Sequence, residues 1–131
     1  MVGGMRDALQ VEGRRGYAAA YVVAIVCIVL AATLGWGDLW AVIYEVPYAD
    51  KVAHVVLLGG LTIALDVLFR QPRMAAGIPT VAVVLLLIAS VEECLQAFVP
   101  TRTFDLLDLA CNYAGIVAAS LYLARQDHRE S

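Results

Sequence analysis

Ten polar side chains in this 131-residue chain could do chemistry together: Asp50, Lys51 and His54, then Glu92, Glu93 and Gln96, then Arg102, Asp105, Asp108 and Asn112. Carboxylates beside a histidine can hold or move a proton, because histidine titrates near neutrality. Lysine and arginine can grip an anionic group, arginine through its planar fork of five donors. Helical positions three or four apart share a face. Asp50 and His54 therefore align, while Lys51 is turned about 100° away. Glu93 lies three residues and Glu92 four residues before Gln96, so spacing leaves both glutamates open. Asp105, Asp108, Asn112 and Gly115 form one stripe, with Gly115 offering a bare backbone for close helix approach.

The elements that must position these residues are apolar. Runs of about 17–34, 50–69, 75–98 and 106–123 are separated by short links, and the polar groups fall at their ends. The chain is 62% hydrophobic and 16% charged, beyond the apolar share of about 45–50% usual for soluble domains. A membrane-spanning helix needs about 20 mostly apolar residues. The expected fold is all-α, a four-transmembrane-helix bundle forming one integral membrane domain over residues 1–131. No basic patch with interleaved aromatics points to nucleic acid, and no glycine-rich phosphate loop or internal repeat occurs.

Arg6, Arg14, Arg15, Arg70, Arg73, Arg125 and Arg129 flank one side of these runs, against only Lys51 and Arg102 on the other. Basic residues favour the cytoplasmic face, so both termini are expected inside and the polar cluster at the outer boundary. The first run, about 18 residues, exceeds a signal-peptide core of about 7–15 and reads as an uncleaved helix. Trp36, Trp40 and Tyr44 in the first link suit a short interfacial helix. Pro47 precedes Asp50, which is expected to cap the second helix. Gln71, Pro72 and Arg73 mark the inner turn, and Pro100 the outer one. Asp66 and Arg70, four apart, are expected to pair near the inner boundary.

A charge at mid-bilayer costs about 2.5–3.5 kcal/mol on insertion scales, less toward the interface. His54 and Glu93, about one turn inside the apolar zone, therefore need partners. Each candidate has a plain structural alternative. His54 acts as acid or base, or ties the second helix to the third. Glu93 with Gln96 orients a substrate, or staples helices for about 0.6 kcal/mol. Arg102 holds a phosphate or carboxylate, or pairs with Asp105 or Asp108. Asp108 and Asn112 cap and orient the fourth helix, and Lys51 snorkels to headgroups. No metal-ligand spacing occurs, so no metal or cofactor is expected. Cys27, Cys94 and Cys111 lack a Cys-x-x-Cys pair and read as small apolar packing residues. Ala20 and Ala24; Ala110, Ala114 and Ala118; and Gly115 and Ala119 read as helix-packing seams.

The sequence resembles the VanZ-like membrane proteins of bacteria. The pattern Asp-Lys-x-x-His stands as Asp50-Lys51-Val52-Ala53-His54. Glu-x-x-Gln followed by Pro and Arg stands as Glu93-Cys94-Leu95-Gln96 with Pro100 and Arg102. Asp-x-x-x-Asn-x-x-Gly runs from Asp108 through Asn112 to Gly115. The resemblance selects Glu93 over Glu92. Where the family often has an aromatic four residues after the histidine, this chain has Leu58. The resemblance implies a multi-pass protein of the bacterial cytoplasmic membrane and an association with low-level tolerance of the glycopeptide teicoplanin. It implies no assigned reaction.

Two functional classes follow. One is a non-catalytic envelope protein whose outer pocket, built from Asp50, Lys51, Gln96, Arg102 and Asn112, binds an anionic headgroup such as a lipid-linked wall precursor. The other is a small membrane-embedded hydrolase or transferase on such a substrate, with His54, Glu93 and Asp108 as its reactive set. Beside both stands a purely helix-packing role for the cluster.

Overall fold

In the computed structural model the backbone is described for residues 2–33, 45–69, 72–74, 77–98 and 105–130, with side chains from 10 to 31 in the first helix and to 129 in the last. The described residues form four helices: α1 (Val2–Thr33), α2 (Ala49–Phe69), α3 (Thr80–Gln96) and α4 (Leu106–Glu130). The described residues include no strand, only an isolated antiparallel bridge between Arg73 and Pro79.

Three of these helices are long and apolar enough to cross a membrane: Gln10–Ala31 within α1, Ala49–Phe69, and Leu106–Arg129 within α4. The 21 residues of α2 give about 31 Å at 1.5 Å per residue, matching a hydrocarbon core of about 30 Å. The 17 residues of α3 give only about 26 Å. The run expected from residue 75 starts as a helix only at Thr80. Gly77 takes a positive φ of 73°, Met74 N–H donates to the Ile78 carbonyl, and extended Pro79 precedes the helix. This turn occupies the start of the apolar run. α1 begins well before residue 17, and α4 runs past residue 123 to basic residues His128 and Arg129, which suit a helix C-terminus.

The central pair is α2 and α4, which run parallel. His54 meets Asn112 near one end, Gly59 meets Gly115 midway, and Arg73 joins Asp66 to Asp127 at the other. A Cβ on Gly59 would lie 3.0 Å from the Gly115 carbonyl oxygen, and one on Gly115 would press on the Val55 carbonyl. Only two glycines allow this approach. Both α1 and α3 run antiparallel to this pair. Tyr21 on α1 donates its phenol to the Val56 carbonyl (3.0 Å) beside Gly60 of α2, and Arg15 reaches the Leu68 carbonyl (3.1 Å). On α3, the Ser90 hydroxyl lies 2.6 Å from that of Tyr113. Ala82, Leu85 and Ile116 form a small core against which Leu58, Leu61 and Leu65 pack. Leu58 is thus a packing residue where an aromatic was the family expectation.

Of the expected seams, Gly115 and Ala119 are buried, whereas Ala20, Ala24, Ala110, Ala114 and Ala118 lie on exposed faces. Cys27 and Cys94 are likewise exposed, Cys111 is half-buried, and all three are free thiols. Exposed Val23, Val26, Val52, Leu87, Ile88, Val117 and Leu121 share such surfaces. That much outward apolar surface suits hydrocarbon rather than water. Polar side chains on these helices bond back along their own helix: Thr62 to the Leu58 carbonyl, Ser90 to Leu86 and Ser120 to Ile116. The interfacial helix expected around Trp36, Trp40 and Tyr44 lies outside the described residues.

Candidate functional site

Asp105 is the residue around which the site is built. It immediately precedes α4, and its Oδ1 accepts the Leu107 N–H at 2.8 Å, the bond expected of an N-cap. Its backbone carbonyl accepts from Asp108 and Leu109. The cap is therefore Asp105 and not Asp108, which sits in the first turn, where a negative charge complements the helix dipole. The same correction applies to Asp50. Pro47 and Tyr48, the latter at φ 62°, end the preceding link so that α2 starts at Ala49, and Asp50 falls inside the first turn.

Lys51 gathers three carboxylates. Its Nζ lies 2.7 Å from Asp105 Oδ2 and 3.1 Å from Asp50 Oδ2, and it also bonds Asp108 Oδ1. Helical spacing turned Lys51 away from His54, yet its long flexible stem brings the ammonium back to α4. The lysine beside Asp105 holds that carboxyl below the usual aspartate range, helped by the cap bond from Leu107. His54 bonds Asn112 through Nδ1 at 2.9 Å, and its Nε2 stands 3.7 Å from Asp108 Oδ1. It thus ties α2 to α4, not to α3 as its structural alternative had it, because the parallel pair brings those two faces together.

From α3, Glu93 is fully buried. Its Oε1 accepts the Asp105 backbone N–H at 2.7 Å, while Oε2 is buried with no hydrogen-bond partner among the described residues. Gln96 does not join Glu93; it donates to Glu92 at 2.6 Å on an exposed face. The two glutamates that spacing left open are therefore separated by burial, Glu93 inward and Glu92 outward. Arg102 and Pro100 lie outside the described residues. The structure thus brings together Asp50, Lys51, His54, Glu93, Asp108 and Asn112, adds the cap Asp105, and leaves Gln96 beside Glu92. No cluster of three or more His, Cys, Asp or Glu side chains among the described residues is arranged to hold a metal.

The opposite end shows a pairing that helical spacing did not name. Asp66 pairs with Arg73, through Oδ1 and, at 3.1 Å, Oδ2, while Arg70 lies outside the described residues. Arg73 also grips Asp127, at 2.6 Å through Nε and 3.2 Å through Nη2. The bridge from Arg73 to Pro79, with Thr80 donating to the Pro72 carbonyl (2.8 Å), fixes this geometry in a way helical spacing does not encode. Asp127 and Asp66 together hold the Arg73 guanidinium protonated even more firmly than usual.

No curated protein and no solved structure matches the chain. The VanZ/LLP1 family model, however, matches residues 17–125, a stretch that contains all four helical cores and the whole polar cluster, and the chain belongs to the VanZ/LLP1 family.

Proposed function

We propose that this chain is a multi-pass protein of the bacterial cytoplasmic membrane, with four spanning helices and both termini inside, whose outer polar cluster binds the headgroup of a lipid-linked cell-wall precursor. The observation that carries this reading is Glu93 Oε2, buried and without a hydrogen-bond partner among the described residues, within an otherwise mutually bonded cluster. An unpaired buried acceptor costs about 1–3 kcal/mol, and a network serving packing alone gains nothing from it. A ligand hydroxyl or amine, admitted by a small shift of the helix ends, would complete it. One lysine faces Asp50, Asp105 and Asp108, so these side chains suit the donor groups of a headgroup better than its phosphate. Arg102, three residues before Asp105 in sequence, is the cation this reading assigns to the phosphate. The family's association with teicoplanin tolerance is consistent with a ligand of the cell envelope.

A hydrolase or transferase reading needs His54 bonded to a carboxylate. The 3.7 Å from Nε2 to Asp108, and the engagement of Asp108 with Lys51, favour binding over catalysis. The helix-packing reading draws support from the Lys51–Asp105 and His54–Asn112 links between segments. One experiment separates the readings: thermal melts in detergent of wild type, His54→Ala and Glu93→Ala, with and without purified lipid-linked precursor. The headgroup reading expects the precursor to raise the wild-type melting temperature and not that of Glu93→Ala, with little loss in the unliganded variants. A large loss in both variants, with no shift of wild type by precursor, leaves only helix packing.

A further inference from the structure

At the end of the bundle opposite Asp105, a cavity of about 490 Å³ opens between α1, α2 and α4, lined by Arg14, Arg15, Asp66, Arg73, Tyr122 and Asp127 among others. These positive charges are not equivalent. Arg73 commits Nε, Nη1 and Nη2 to Asp66 and Asp127, so its charge is directed at those two carboxylates. Arg15 uses one donor, at 3.1 Å to the Leu68 carbonyl. Arg14 is exposed and has no hydrogen-bond partner among the described residues. Three arginines against two aspartates leave the cavity wall one net positive charge, and its uncommitted donors include the two guanidinium forks on α1, beside the Tyr122 hydroxyl and the Gln126 amide.

We propose that this cavity binds the phosphate of an anionic phospholipid headgroup, with Arg14 and Arg15 as the gripping residues and Arg73 as a positioning residue that masks Asp66 and Asp127. Guanidinium forks match phosphate oxygens in pairs. The location supports a lipid rather than a free ion. Arg14 and Arg15 stand within the apolar segment Gln10–Ala31, one or two turns from its start, where a membrane-spanning α1 meets headgroups. Beside them in the cavity lining, exposed Val11 on α1 and Tyr122 on α4 offer an apolar and phenolic wall for acyl and glycerol groups. Basic pockets between helices at such a boundary are suited to anionic headgroups. This site is independent of the outer cluster and shares no residue with it.

The test uses the full chain purified in detergent, examined by native mass spectrometry with added phosphatidylglycerol, phosphatidylcholine or inorganic phosphate. Wild type should retain phosphatidylglycerol in preference to phosphatidylcholine, and the double variant Arg14→Gln/Arg15→Gln should bind it about thirtyfold more weakly. Arg14→Lys/Arg15→Lys should fall between them, since charge remains while the fork is lost. Equal retention of phosphatidylglycerol by wild type and the glutamine variant, at matched melting temperature, overturns the proposal. Arginine-dependent binding of inorganic phosphate without preference for the anionic lipid overturns the lipid assignment. If the glutamine variant melts early, the lysine variant alone decides: affinity equal to wild type then overturns the fork.

Discussion

Replacing Gly115 with alanine should push α2 and α4 apart, because the new Cβ would press on the Val55 carbonyl and lie 3.1 Å from the Gly59 nitrogen. Both obstacles are backbone, so no side-chain rotation relieves them, and the helices must separate by a sizeable fraction of an ångström. Overpacking of this kind costs about 1–3 kcal/mol. Alanine returns up to about 1 kcal/mol through its better helix propensity. The net expectation is a loss of about 1–2 kcal/mol, seen as a fall of about 5 °C or more in a thermal melt in detergent. Valine at the same position should be worse, since β-branching adds bulk to the same contact. Gly13 supplies the control: nothing lies within 4 Å of a Cβ there, so Gly13→Ala should leave melting unchanged or raise it slightly. If Gly115→Ala melts at or above wild type, helix propensity outweighs the contact, and the close α2–α4 approach described above is wrong.

Other perturbations probe the two ends. Lys51→Met removes the cation shared by three carboxylates and should destabilise by about 2–3 kcal/mol, with Lys51→Arg retaining much of the loss; equal melting of wild type and Lys51→Met would show that the cluster contributes nothing. Because Lys51 depresses the Asp105 carboxyl, that ionised group contributes stability above the ordinary aspartate value of about 3.9. Its contribution should fade as pH drops through and below that value, and Asp105→Asn should flatten this part of a melting-temperature profile between pH 3 and 7. Arg73→Gln leaves Asp66 and Asp127 without their shared partner and should cost about 3 kcal/mol. Arg73→Lys should restore little, since one ammonium cannot reproduce four guanidinium bonds; full rescue in a chemical-denaturant melt would contradict the bidentate geometry.

Much of this arrangement was legible in the residues. Apolar run length gives four helices, and the spacing of Asp108, Asn112 and Gly115 gives the face of α4 that meets α2. The depth shared by Asp50, Lys51, His54 and Glu93 gives the cluster itself. What stayed hidden was tertiary. Helical spacing could not tell that Lys51's flexible stem reaches α4, because the pattern treats a side chain as a direction rather than a reach. It did not bring out Arg73 as a partner of Asp66, because that contact depends on the turn closed by Gly77 and the Arg73–Pro79 bridge. Asp105 belongs to the candidate set, but its capping role shows in sequence only as an aspartate directly before an apolar run. The seams of alanine failed for a related reason: small residues permit close packing on any face, and only polar neighbours such as Asn112 show which face is used.

The two polar ends and the glycine contact between them constrain one another. Lys51 and Asp66 are 15 residues apart on α2, about 22 Å along the axis, so the clusters sit near opposite edges of a core of about 30 Å. Neither ion network alone would fix the register of α2 against α4, because lysine and arginine side chains can follow a small slide. The Gly59–Gly115 approach cannot follow, since a one-residue rotation of α4 turns Gly115 by about 100° and presents Asn112 and Ile116 differently. A slip would also leave charged groups unpaired at apolar depth, at up to about 2.5–3.5 kcal/mol each. The glycine pair therefore acts on both ends at once, whereas each ionic cluster acts mainly on its own. Gly115→Val should consequently expose amides to hydrogen exchange near both Asp105 and Asp127, while Lys51→Met should do so only near Asp105. Increased exchange near Asp127 in Lys51→Met would mean the ends are coupled through something other than this contact.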